Sequence, residues 1–107
     1  PVAQVTNLVR SLNELKKAGM WIIGVENAAG AVPYTQADFT SPTVLVLGSE
    51  GRGLGRLVGE TCDMLVRLPM LGKVSSLNVA VAGAIVLYEA LRQRHAAATP
   101  QRSTQGG

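Results

Sequence analysis

The sequence has a single cysteine, Cys62, so no disulfide can close within it, and a lone thiol suits a reducing cytoplasmic setting. Aromatic residues make up only 4% of the 107 positions, so a core has to be assembled from aliphatic side chains. No basic-then-apolar leader opens the chain. The longest apolar run, Val79 to Tyr88, is too short and too rich in Gly and Ala to cross a bilayer. No internal repeat is visible. What is present is a 47% hydrophobic composition, enough for one modest core in one domain. The net charge of +3 leans towards an anionic partner, but ten basic against seven acidic residues is weak evidence alone.

Val5, Leu8, Val9, Leu12 and Leu15 recur at helical spacing, and the helix they predict ends near Ala18-Gly19, where Gly19 supplies a left-handed cap. Met20 to Val25 reads as a strand, and Glu26 to Ser41, with Gly30, Pro33 and no clear period, as loop containing at most one turn of structure. Thr43 to Leu47 is continuously apolar, as strands buried on both faces of a parallel sheet are. Leu54 to Thr61 reads as a short helix, Met64 to Leu68 as a third strand stopped by Pro69, and Ser75 to Arg94 as a long helix. This order predicts an open parallel α/β sheet over residues 1–95, followed by a disordered tail over 96–107. The long helix is apolar almost all round from Leu77 to Leu87, which predicts a homodimer with Val86 on its outward face. A thin sheet with no strand before the first helix suggests the C-terminal part of a larger catalytic domain.

Two segments stand out. Val44-Leu45-Val46-Leu47-Gly48-Ser49-Glu50-Gly51-Arg52-Gly53-Leu54 runs from an apolar strand into a glycine-punctuated turn. Leu68-Pro69-Met70-Leu71-Gly72-Lys73-Val74-Ser75-Ser76-Leu77-Asn78 does the same and opens a helix. Side by side, residues 46–50 and 68–78 would form a pocket made mostly of main chain. The first segment fails the phosphate-loop pattern, because Leu54 stands where Lys is needed, and it fails the dinucleotide pattern at Arg56. Glu50 has two open readings, a ligand-facing residue at the end of a strand or a carboxylate answering the dipole of the following helix. Ser76 and Asn78 read first as capping and turn residues. Cys62 reads as packing and His95 as a solvated helix end. Arg52, Arg56, Arg67 and Lys73 flank the two turns and gather basic charge at the mouth of the pocket.

Leu-Gly-Ser-Glu-Gly-Arg-Gly-Leu at 47–54 resembles the second signature motif of the SpoU (TrmH-type) branch of the SPOUT RNA methyltransferases. Residues 68–82 resemble the third motif, and Val5-Thr6-Asn7-Leu8 with Leu87 to Arg94 are similar to the 23S rRNA guanosine 2′-O-methyltransferase subgroup. The resemblance implies a SPOUT α/β fold with a deep trefoil knot and S-adenosylmethionine bent between the two turns. It implies cofactor contacts at Gly48, Leu68, Met70, Ser76 and Leu77, many through the main chain, and roles in activity for Glu50, Ser76 and Asn78. RNA is the implied substrate, with Arg52, Arg56 and Lys73 as its contacts. The expected partners are RNA and a second copy of the chain; neither a metal nor a membrane is expected. The family's first motif, which carries the arginine that activates the ribose hydroxyl, has no counterpart here, so this segment alone is expected to bind cofactor weakly and not to turn over. The competing reading is a non-catalytic RNA-binding or dimerisation module of the same fold; a tRNA target is the other alternative.

Overall fold

The computed structural model describes residues 2–48, 53–69 and 76–98, with side chains for 7–48, 53–69 and 79–98. Helix α1 spans Val2–Lys17, strand β1 Trp21–Val25, strand β2 Val32–Pro33, a 3-10 turn Tyr34–Gln36, strand β3 Thr43–Leu47, helix α2 Arg56–Thr61, strand β4 Met64–Arg67 and helix α3 Ser76–Ala98. The strands lie in the order β2-β4-β1-β3, and every pairing is parallel. The expected parallel α/β architecture is therefore present.

The end of α1 shows how local chemistry sets a boundary. Gly19 takes φ +94°, its N–H donates to Lys16 O (2.9 Å), and the N–H of Met20 donates to Leu15 O (3.0 Å). This is a Schellman closure, which satisfies carbonyls that a helix end otherwise leaves bare, and glycine adopts the required backbone without a Cβ penalty. Lys16 and Lys17 in the last turn complement the negative end of the helix.

Strand β1 builds the centre because its residues alternate between two cores. Ile22 packs with Leu12, Leu54 and Val58 beneath α1 and α2. Ile23 and Val25 pack with Ala37, Phe39, Val66, Leu68, Ala82 and Val86 beneath α3. Gly24 shares the α1/α2 side, where a Cβ would stand 2.7 Å from Leu54 Cδ1, 2.8 Å from Cys62 Sγ and 2.9 Å from Leu65 Cδ2. Only a residue without a side chain lets that layer close on the sheet.

On the other face, the C-terminal half of α3 grips residues 37–41 through polar side chains. Gln93 Nε2 donates to Ala37 O (2.8 Å), and Gln93 Oε1 accepts from the N–H of Phe39 (2.8 Å). Arg94 donates to Phe39 O (2.8 Å) and to Ser41 O (2.9 Å). Phe39 itself is fully buried. Glu89, only 6% exposed, receives Arg92 through both carboxylate oxygens (2.9 and 2.8 Å) and Gln93 Nε2 (2.8 Å).

Four expectations need revision. The stretch read as loop contains β2, whose two residues pair in parallel with Val66 and Arg67; two residues are too few to show a period. β3 lies at an edge of the described sheet, and Thr43 to Val46 are half-buried and Leu47 exposed instead of covered on both faces. Helix α3 runs to Ala98, past the expected helix end at Arg94 and into the expected tail, because three alanines, the strongest helix formers, extend its last turn. Val86 is fully buried in the core, not on an outward face. An all-round apolar helix gives no sign of which side meets the sheet. Among the described residues, the large apolar side chains that α3 exposes are Val81, Leu87, Tyr88 and Leu91. The trefoil knot depends on how residues 70–75 thread, and those lie outside the described residues.

The Arg92 guanidinium bonded to Glu89 holds its carboxyl well down, at about 2 against an ordinary 4.5, although burial pushes it the other way; Gln93 adds to the lowering. A carboxylate with a depressed folded-state pKa stabilises fully above its unfolded value and loses that contribution as pH falls through the folded one. The stability difference between the natural protein and Glu89→Gln is therefore expected to be largest above about pH 5 and to close towards about pH 2, read by chemical denaturation across that range.

Candidate functional site

Parallel strands deliver their carboxyl ends to one edge of a sheet, and ligands collect where the chain order reverses. Here that point is β1, which lies between β3 and β4. Val25 is in register with Leu47 on one side and with Val66 on the other. Glu26 is therefore level with Gly48, which follows β3, and with Arg67, which ends β4 one residue before Leu68. The structure thus brings the beginnings of both sequence-marked turns to the same edge, separated by a single strand.

Gly48 is pressed against the far end of its own turn. A Cβ there would lie 2.6 Å from Gly53 Cα and closer still to the Gly53 carbonyl carbon. Gly53 has φ +67°, and its missing Cβ leaves the space taken by the Glu26 carboxylate. Glu26 Oε1 accepts the N–H of the buried Leu54 at 2.7 Å. Leu68 is 1% exposed and belongs to the core with Val66 and Ile23, so anything it offers a ligand comes from its main chain.

Arg56 opens α2 and is exposed; it lines a shallow depression of about 440 Å³ with Glu26, Gly55, Gly59, Glu60 and Leu65. A second, smaller hollow of about 260 Å³ lies against α3, between Tyr34 and Ala84, Ile85, Tyr88 and Glu89. Arg67 ends β4 and donates to Ala31 O, which ties it to the segment before β2. Ser76, Leu77 and Asn78 form the first turn of α3, with only their backbone described. Glu50, Arg52, Met70 and Lys73 lie outside the described residues.

Cys62 is half-buried against the α1/α2 core, and its Sγ lies 3.4 Å from Val58 O. Burial pushes its thiol pKa up, and the Asp63 charge adds to that. It is thus kept protonated and serves packing instead of nucleophilic chemistry. Among the described residues no group of three His, Cys, Asp or Glu side chains could hold a metal ion, and no helix is long and apolar enough to cross a membrane.

Glu26 stands at this edge although the sequence reads it as the start of a loop. The available signal was its position directly after an apolar strand, the same relation that Glu50 has to β3.

The sequence profile of the SpoU rRNA Methylase family matches residues 1–88. The chain is 51% identical, over 94% of its length, to a 23S rRNA (guanosine-2'-O-)-methyltransferase RlmB of Pseudomonas syringae, and it spans 40% of that relative. It is similar to the A. aeolicus TrmH/SpoU tRNA modifying enzyme, with a TM-score of 0.71 and 41% identity over 81% of this chain and 44% of that one. The SpoU methyltransferase AviRb from Streptomyces viridochromogenes, solved in complex with AdoMet, matches with a TM-score of 0.68 and 36% identity, covering 84% of this chain and 36% of its own. The chain thus spans about two fifths of the length of such relatives.

Gly48→Ala is expected to force Gly48 and Gly53 apart and to destabilise the protein by about 1–3 kcal/mol, the usual cost of overpacking. Urea unfolding of the two proteins measures it.

Proposed function

The chain belongs to the SpoU rRNA Methylase family, and from that premise we propose that it supplies the S-adenosylmethionine-binding part of an RNA ribose 2′-O-methyltransferase whose target is a guanosine of 23S rRNA. The observation that carries this reading is that Gly48 and Leu68, where the two motif segments leave their strands, reach one sheet edge in a chain half identical to a relative named for that reaction. The residues fit the cofactor. Gly48 has no side chain and sits against Gly53, and the Leu68 side chain is committed to the core, so the edge offers main-chain N–H and C=O groups, which can hydrogen-bond adenine and ribose.

S-adenosylmethionine supplies an already activated methyl electrophile, which leaves positioning of the ribose hydroxyl and removal of its proton to the protein. In this reading Gly48, Leu68, Met70, Ser76 and Leu77 hold the cofactor, and Glu50, Ser76 and Asn78 order the reacting groups. Arg52, Arg56 and Lys73 meet RNA phosphates, where their charge is most effective at low salt. The domain, whose last helix runs to Ala98, lies within a longer cytoplasmic enzyme that has the knotted fold of its family. A tRNA target is the second reading, favoured by the likeness to the A. aeolicus tRNA modifying enzyme. Mapping ribose methylation in 23S rRNA and tRNA from cells lacking the gene distinguishes the two; no lost methyl group in either RNA would defeat both.

The working enzyme is a homodimer in this reading. Val81, Leu87, Tyr88 and Leu91 are 43–74% exposed along one side of α3. Covering a single Leu is worth about 1.5–3 kcal/mol, enough for a row of them to favour pairing. Leu91→Asp is expected to shift the enzyme towards monomer in light scattering while leaving its circular dichroism unchanged.

Asn78→Ala in the full-length enzyme is expected to cut methyl transfer far more than it lowers stability, since losing a simple cap costs only about 1 kcal/mol. Parallel turnover assays and thermal melts make the comparison; full activity in a slightly less stable variant would make Asn78 a cap and nothing more.

A further inference from the structure

Glu26 belongs to neither glycine turn, yet it touches the first of them from the neighbouring strand. We propose that Glu26 is a positioning residue that holds Gly53 and Leu54 against Gly48 at the sheet edge and so sets the shape of the cofactor site there. The inference rests on the function proposed above and names a residue through which that site is held.

Three contacts carry it. The N–H of Glu26 donates to Val66 O at 2.9 Å, which fixes its backbone to β4 just beyond the last paired residue of β1. Its carboxylate then reaches across to accept the N–H of Leu54 at 2.7 Å. Leu54 is 8% exposed, and a buried amide needs an acceptor. Between them stands Gly53, in the left-handed region at φ +67°, with the Glu26 carboxylate where a Cβ would project. Gly53 in turn backs onto Gly48, with no room for a side chain between them.

Glu26, Gly53 and Gly48 therefore form a continuous line of close contact from the end of β1 to the end of β3. The amide-to-carboxylate bond is charge-assisted and stronger than a neutral one. Without it the Leu54 N–H is left buried and unpaired, and Gly53 loses the contact that holds it against Gly48 at the sheet edge. Glu26 acts through Gly53 and Leu54 and not on the reacting atoms.

The test uses the full-length enzyme with Glu26→Ala and Glu26→Gln, with S-adenosylhomocysteine as the titrated probe and S-adenosylmethionine as the varied substrate. Glu26→Ala is expected to raise the Kd for the probe and the KM for the substrate about tenfold, the factor that matches an orphaned buried amide, with a smaller fall in kcat. Glu26→Gln keeps an acceptor oxygen and is expected to stay within about threefold of the natural enzyme. Alanine and glutamine variants that melt lower but bind as tightly as the natural enzyme would make the residue merely structural and overturn the proposal, as would a glutamine variant as weak as the alanine one. Should Glu26→Ala fail to fold, the Leu54 amide proton gives the reading: it is expected far downfield in the natural enzyme, where it meets a carboxylate, and to move upfield in Glu26→Gln, and a signal unchanged between the two overturns the proposal. Failure of the natural enzyme to bind the probe at all would remove the underlying functional reading, a result distinct from any change between variants.

Discussion

β1 pairs in parallel with strands on both sides, and the rest of the molecule depends on that double pairing. Because Val25 is aligned with both Leu47 and Val66, the carboxyl ends of three strands reach the same edge. The same strand divides its side chains between two cores, one under α1 and α2 and the other under α3. A one-residue slip would send Ile22 and Ile23 to the wrong faces and put Gly24 where no close approach needs it. Register, layer spacing and the position of the site are thus consequences of one strand with little freedom.

The two faces are held by different physics. On the α1/α2 side the contact is aliphatic and its closeness is limited by Gly24, where Leu54, Cys62 and Leu65 converge. On the α3 side a polar grip is added, with Gln93 and Arg94 taking the main-chain groups of residues 37–41 that no strand neighbour serves. Glu89 is nearly buried, a position that costs desolvation, and it is offset by Arg92 and Gln93. None of the described buried side-chain polar atoms lacks a partner. Gly83 brings α3 close to β3, since a Cβ there would stand 3.1 Å from Leu47 Cδ1.

The site follows from these constraints by subtraction of side chains. Where the sheet edge would otherwise be filled, Gly48 and Gly53 leave main chain against main chain, and Leu68 turns its side chain into the core. An edge of that kind presents backbone groups to a ligand, and in the proposed function apolar residue types bind through them. Charge enters from the rim, with Arg56 beside Glu26 and Glu60.

Much of the fold was legible in the residues themselves. α1 with its Gly19 stop announces itself through helical periodicity, and the three longer strands and α3 through apolar runs bounded by turn chemistry, signals that act between near neighbours in the chain. The motif segments at 47–54 and 68–82 pointed to the family without any coordinates. Tertiary structure alone decided the strand order, the brief β2 paired to β4, and the edge position of β3. It also decided that Val86 points inward while Tyr88 and Leu91 point out, and that Glu26 reaches Leu54. The reason is physical: periodicity records which positions share a face, but a helix apolar on all sides carries no such record. Contacts between residues far apart in the chain exist only once the sheet has brought their strands together.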